Sequence, residues 1–262
     1  MDIIRIDSYL YWLSLCPPWI DNILGDLSDG NRRSRARYAM SVRDPNVTAL
    51  PDSYFFWSRG FRRYREYIED NPVDWTTRSE IIRWRGSTTG QGRVDKITLD
   101  ADVLPRIRLA LMLKNLPGCD AAFIYSTRGK QTQQLLEQAG LWRGWLDQFT
   151  WIGDKFAVDI DGNANTWSNF LLRLHLGCCV LKVDSASGYR QWYYDRIRPW
   201  EHYVPVKADL SDLLEQIDWV RSNDGSAREI AAHGQAFART MTLESETSIA
   251  VSSITATEKA LR

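Results

Sequence analysis

An apolar run, Ile81-Ile82-Arg83-Trp84, leads into Arg85-Gly86-Ser87-Thr88-Thr89-Gly90, a strand followed by a turn of small hydroxylated residues. Backbone N–H groups in such a turn converge on an anion, and Gly86 lacks the Cβ that would hold the anion away. Ser87 and Thr88 add hydroxyl donors. Arg85 adds a planar cation whose parallel N–H groups match a phosphate. Phosphate binding is the chemistry these types suit, with a polar connection and a solvated arginine as the plain alternative. The segment matches neither a Walker nor a dinucleotide fingerprint.

A second apolar run, Phe156–Ile160, closes on Asp159-Ile160-Asp161-Gly162-Asn163 and leads to Trp167-Ser168, where a helical pattern begins. In α/β proteins ligands bind at the carboxyl ends of strands. Asn163, Asn165 and Ser168 therefore offer hydrogen bonds to a ribose, a base or a phosphate. The Asp159-x-Asp161 spacing admits a competing chemistry, Mg²⁺ or Mn²⁺ held by carboxylate oxygens against a diphosphate. It is also an ordinary Asp-Gly-Asn turn. A third cluster, Arg198-Pro199-Trp200-Glu201-His202-Tyr203-Val204-Pro205-Val206, sets Glu201 to accept sugar hydroxyls and His202 to donate to phosphate. Packed corners have this composition too. His175 and His233 each stand alone on a helix face and read as packing or surface residues.

The elements that must position these groups alternate between short apolar runs and helical patterns, the signature of α/β architecture. Strands are expected at Ile23–Leu27, Ser53–Trp57, Ile81–Trp84, Ala121–Tyr125, Phe156–Ile160 and Cys179–Val183. Helices are expected at Phe61–Glu69, Val103–Leu113, Gln131–Ala139, Trp167–Leu176, Leu210–Arg221 and Ala227–Thr240. A boundary near Pro72–Thr77 divides a short first lobe, residues 1–77, from a second lobe, residues 78–242. Residues 243–262 are Ser/Thr-rich and read as a loosely held tail.

Composition narrows the partners. The 262 residues hold 33 Lys plus Arg against 33 Asp plus Glu, so no global field favours nucleic acid or an anionic membrane. The local run Asn31-Arg32-Arg33-Ser34-Arg35-Ala36-Arg37 could contact nucleic acid, anionic lipid or an anionic acceptor, and reads first as a solvated loop. No window approaches the ~20 apolar residues of a spanning helix. Asp2, Arg5 and Asp7 interrupt what would be the apolar core of a signal peptide. The four cysteines, Cys16, Cys119, Cys178 and Cys179, show no metal-type spacing, and the adjacent Cys178 and Cys179 in an apolar run suit buried thiols. Twelve tryptophans lean slightly toward sugar binding, since indole faces suit sugar C–H groups.

Taken in order, these segments resemble glycosyltransferase family 90. The matching residues are Trp84-Arg85-Gly86-Ser87-Thr88-Thr89-Gly90, Lys155-Phe156, Asp159 to Asn163, Gly177 to Lys182, Pro199 to Val206, Asp209 to Leu213, and the helix from Asn223-Asp224 to Gly234. The resemblance implies a GT-B-like α/β fold, two Rossmann-like lobes with the active site in the cleft between them. It implies an inverting transfer of a glucose- or xylose-type sugar from a UDP-sugar to a hydroxyl of a glycan, a lipid-linked sugar or a lipopolysaccharide-like acceptor. Neither a metal nor another cofactor is implied. Arg85, Gly86, Ser87 and Thr88 would hold the donor diphosphate. Asp161, Gly162, Asn163 and Ser168 would complete the nucleotide pocket beside Glu201 and His202. The general base is a carboxylate after an early strand, which places Asp29 in that role with Asp26 in reserve; Pro51–Trp57 would shape the acceptor side. Many relatives carry an Arg where this chain has Trp167-Ser168-Asn169. A cytoplasmic protein that touches membranes peripherally and binds no nucleic acid is the corresponding expectation. A metal-dependent GT-A-like enzyme using Asp159 and Asp161, and a non-catalytic nucleotide- or glycan-binding module, are the alternatives.

Overall fold

The structure, a computed structural model, describes residues 2–30 and 35–262. Asn31 to Ser34 of the basic run therefore lie outside the described residues. Within the run, Arg37 is held by Glu258 at 2.8 Å.

Four of the expected strands form one parallel sheet. It contains β3 (Ser79–Ser87), β4 (Cys119–Tyr125), β5 (Asp154–Asp159), β6 (Cys179–Val183) and β7 (Val204–Val206), in the order β4-β3-β5-β6-β7. Every residue of β5 and β6 is buried, which is why these strands read as continuous apolar runs rather than alternating ones. Helices cover both faces. α4 (Pro105–Lys114) and α7 (Leu213–Ser222) pack Ile107, Leu113, Ile217 and Val220 with Phe156 and Val158. On the other face, α6 (Asn169–His175) and α8 (Asp224–Thr240) pack Phe170, Leu174 and Ala238 with Ala157 and Val180. α5 (Lys130–Gln138) closes the β4 edge through Leu136. The expected α/β class with parallel sheets is thus what the chain adopts.

From β3 the chain steps outward to β4, then crosses back to β5 on the other side of β3. At such a reversal the loops leaving the two adjacent strands run in opposite directions and leave a crevice between them. The crevice here lies between the carboxyl ends of β3 and β5.

The first 77 residues differ from the expected Rossmann-like lobe. Their described residues hold α1 (Asp2–Ser14), a two-stranded parallel pair formed by β1 (Tyr38–Ala39) and β2 (Thr48–Ala49), and two further helices. These are α2 (Ser53–Trp57) and α3 (Arg62–Asp70). Ile23–Leu27 forms a single bridge, Gly25 to Tyr38, instead of a strand. Ser53–Trp57 is helical because Asp52 caps it, its carboxylate accepting the Phe55 N–H at 2.8 Å. Residues 243–262 are likewise no loose tail. They form α9 (Leu243–Ala260), started by a reciprocal cap between Thr242 and Ser245. Ala250 and Ile254 then pack with Tyr9, Trp12 and Leu50, and Tyr38 donates its hydroxyl to Glu258 at 2.7 Å.

Asp52 is 1 % exposed, and burial raises its carboxyl to about 7 against the bonds from Phe55 and Gln191. The folded state thus holds a proton there that the unfolded chain releases near pH 4. That contribution is fully present below about pH 4 and is lost as pH rises through about 7. Urea unfolding of wild type against Asp52→Asn at several pH values should show the variant gaining relative stability across that window. A flat difference would exclude the titration.

Candidate functional site

A cleft of about 520 Å³ opens at the β3/β5 crevice. Its β3 wall is Gly86, Ser87 and Thr89, its β5 wall is Gly162, Asn163 and the segment Asn165 to Asn169, and the N-terminal segment adds Asp29 and Tyr54. The two turns touch closely. A Cβ on Gly162 would come within 2.6 Å of Thr89 Oγ1, and Asn163 Oδ1 accepts the Gly90 N–H at 3.0 Å. Gly86 lines the cleft and is also required by its neighbour, since a Cβ there would meet the Trp84 ring at 2.4 Å.

The group that joins the two walls was not singled out from the sequence. Arg106, in the first turn of α4, is 7 % exposed. It donates to the carbonyls of Asp161 (3.0 Å), Ile160 (2.9 Å) and Ser87 (3.2 Å), and to Thr89 Oγ1 at 2.8 Å. Burial lowers its guanidinium to about 10, opposed by Asp159, Asp161 and Asp29, so it stays a cation at neutral pH. A cation in a first helical turn runs against the helix dipole. That mismatch is the sequence signal that could have found it.

Arg85 also lines the cleft, where its guanidinium is already engaged. Its guanidinium donates to the Asp120 carboxylate at 2.6 Å and to the Asp120 carbonyl at 2.7 Å. Asp120 pairs in register with Arg83, two residues upstream, so the fork is braced against the neighbouring strand. Thr88 is fully buried, and its hydroxyl accepts the Thr127 N–H at 2.8 Å, pinning β3 to the turn after β4. Glu201 and His202 precede β7 and sit at the amino edge of the sheet, opposite the cleft. His202 Nδ1 accepts the Arg198 N–H there, and Glu201 lies 3.5 Å from the Arg198 guanidinium. The structure does not bring these two to the donor residues.

The Asp-x-Asp carboxylates diverge. Asp159 has no exposed surface and accepts from Thr166 Oγ1 (2.5 Å), Asn169 Nδ2 (2.8 Å) and Lys182 Nζ (2.9 Å). It thereby fixes the start of α6 from beneath. Asp161 faces a smaller crevice beside Asp184 and Tyr189. Burial raises its carboxyl against the pull of Lys182.

Asp29, the carboxylate to which the resemblance pointed, does reach the cleft. Its Oδ1 accepts the Trp167 indole N–H at 2.6 Å and its Oδ2 accepts Asn163 Nδ2 at 3.0 Å, with Arg5 at 3.7 Å. The side chain keeps 37 % of its surface exposed, so it is open to a ligand. Asp26 is buried and turned to the Ser28 N–H at 2.7 Å. At the cleft mouth Tyr125 and Trp145 are 63 % and 73 % exposed, large rings with a face to offer.

A crevice at the reversal of a parallel sheet, lined by hydroxyls and the buried Arg106, is where α/β proteins of this topology bind their ligands. Comparison with known proteins gives the family: residues 57–248 match the sequence model of Glycosyl transferase family 90, and the chain belongs to that family. Human protein O-glucosyltransferase 3 is 32 % identical over 165 residues, 63 % of this chain and 29 % of its own. Uncharacterized protein 035R of Invertebrate iridescent virus 3 is 46 % identical over 88 residues, 33 % of this chain and 8 % of its own. The chain thus spans under a third of these curated relatives. Among solved structures, Anabaena HepE in complex with UDP-glucose has a TM-score of 0.46 at 11 % identity, covering 74 % of this chain and 52 % of HepE.

Proposed function

We propose that this chain transfers a sugar, glucose or xylose in type, from a UDP-sugar to a hydroxyl of a glycan or lipopolysaccharide-like acceptor. The transfer inverts the anomeric centre, needs no metal and takes place in the cytoplasm. The observation that carries the reading is that Asp29, from the N-terminal segment, lies on the wall of the same cleft as Ser87, Thr89 and Asn163. The name of the human relative favours glucose as the sugar.

In this reading the donor diphosphate lies against Ser87, Thr89 and the Gly162-Asn163 turn, over the buried charge of Arg106. The uracil stacks on the aromatic rim. Asp29 takes the acceptor proton as the new bond forms on the face of C1 opposite the departing UDP oxygen. The charge gathering on that oxygen is met by Arg106 and the nearby hydroxyls, a fixed electrostatic environment in place of a metal.

A UDP-release assay across UDP-sugars and acceptors, run in excess EDTA, tests the proposal, with UDP-glucose expected to turn over best. Activity lost in EDTA and restored by Mn²⁺ would assign a metal-dependent site at Asp159 and Asp161 instead. Donor binding by calorimetry with no release from any acceptor would make the chain a binding module.

A further inference from the structure

Away from the cleft, α1, α2, α3 and the start of α9 enclose a groove of about 540 Å³. Tyr11, Trp57, Arg59, Arg62 and Arg65 line it, with Glu244 at one rim. Trp57 is 71 % exposed, and no aromatic ring among the described residues stacks on it. Arg62 is held by Glu66 at 2.7 Å. Among the described residues, Arg59 and Arg65 have no carboxylate within ion-pair distance, and Arg65 Nε is buried without a hydrogen-bond partner.

The turn that presents these arginines is strained and fixed. Arg59, Gly60 and Phe61 are all left-handed, with φ of 52°, 65° and 56°. Only the middle one is a glycine, and a Cβ there would come within 2.9 Å of the Leu243 N–H nitrogen. Consecutive left-handed side-chain-bearing residues persist only where surrounding structure over-determines them, and they cluster at ligand sites. Beside the groove, α1 turns an apolar strip outward. Ile3, Ile6 and Leu10 are 74 %, 41 % and 57 % exposed. At about 100° per residue they fall within about 60° of one another, with Asp7 at one edge and Tyr11 leading into the groove.

An apolar helix strip and an exposed indole bordering three arginines that outnumber the one carboxylate of the groove, Glu244, match the two layers of a bilayer surface, acyl boundary and phosphate. We propose that this face binds an anionic lipid surface, with lipid phosphates in the Arg59–Arg65 groove and Ile3, Ile6, Leu10 and Trp57 seated at the interface. The contact is lateral, since no helix among the described residues is long and apolar enough to cross a membrane. The inference does not rest on the transfer reaction.

Co-sedimentation of the full chain with vesicles of phosphatidylcholine, with and without phosphatidylglycerol, tests it. Binding should need the anionic lipid, weaken in about 0.5 M NaCl and shift the tryptophan fluorescence to the blue, a shift that Trp57→Phe removes. Each arginine removed should weaken binding about fivefold, so Arg59→Gln with Arg65→Gln loses about 25-fold. Ile6→Ser with Leu10→Ser should lose binding while keeping the wild-type unfolding midpoint. No binding to anionic vesicles overturns the proposal. So does full competition by inorganic phosphate with no effect of the α1 changes, which would mean a soluble phosphate site. A dimer in sedimentation velocity that Ile6→Ser with Leu10→Ser abolishes would assign the face to a second copy of this chain.

Discussion

Asp29→Asn is expected to lower turnover about 10²- to 10⁴-fold, the range over which a positioned general base accelerates proton transfer, while UDP binding stays within about threefold of wild type. The substitution keeps an oxygen for the Trp167 indole and the approximate shape of the side chain. It places an amide N–H₂ where Oδ2 now accepts from Asn163, so two donors face each other. Some adjustment of the Gly162-Asn163 turn follows, and UDP affinity reports it directly. Single-turnover release of UDP, read beside calorimetry, separates loss of chemistry from loss of binding. Asp26→Asn is the matched control. Asp26 holds the backbone of Ser28 and lies off the cleft wall, so its replacement should lower stability and spare the rate. The reverse pattern, with Asp26→Asn inactive and Asp29→Asn active, would move the base to Asp26 and leave Asp29 a tie between segments.

Arg106→Gln should have the largest combined effect on stability and donor affinity. Arg106 bridges the turn after β3 to the turn after β5 through carbonyls on both sides. Its loss leaves buried carbonyls short of donors and Asp159 and Asp161 with less compensation, a class of change that costs about 3–5 kcal/mol. Urea unfolding measures that part. The Arg85→Gln control separates a general loss of arginine from this one. Arg85 is tied to Asp120, so it should lower stability with a smaller change in UDP affinity. Arg106→Lys restores the charge without the fork and should recover part of the UDP affinity. A folded Arg106→Gln protein that binds UDP as wild type does would remove Arg106 from the donor site.

The contrast between the two arginines shows where sequence reading ran out. β3, β4, β5 and β6 were legible because strands buried on both faces are short apolar runs bounded by turns, and their carboxyl ends carried the polar segments. Which partner each arginine takes depends on Asp120 standing on the neighbouring strand, a pairing that spacing along the chain does not encode. Glu201 and His202 had suitable chemistry but precede their strand, and the edge they occupy follows from the direction of β7. Ser53–Trp57 was too short to show a period, and its β-favouring aromatics outweighed the cap at Asp52. In α9 the buried positions Glu246, Ala250 and Ile254 recur at helical spacing, hidden among serines and threonines. The resemblance pointed to Asp29, but its contacts came only with the fold, since its partners Asn163 and Trp167 lie 134 and 138 residues further on.

The closure of α9 onto the N-terminal segment has a consequence for synthesis. Tyr38 and Arg37 find Glu258 only across 220 and 221 residues of chain. At ribosomal rates of about 5–20 residues per second, the segment holding Asp29 waits on the order of ten to forty seconds for that helix to be made. During that interval Tyr9, Trp12 and Leu50 lack the Ala250 and Ile254 side chains that complete their cluster. The sheet, whose strands all lie between Ser79 and Val206, has no such wait. The strands of the sheet are therefore all made before α9 closes the cluster around Tyr9 and Trp12.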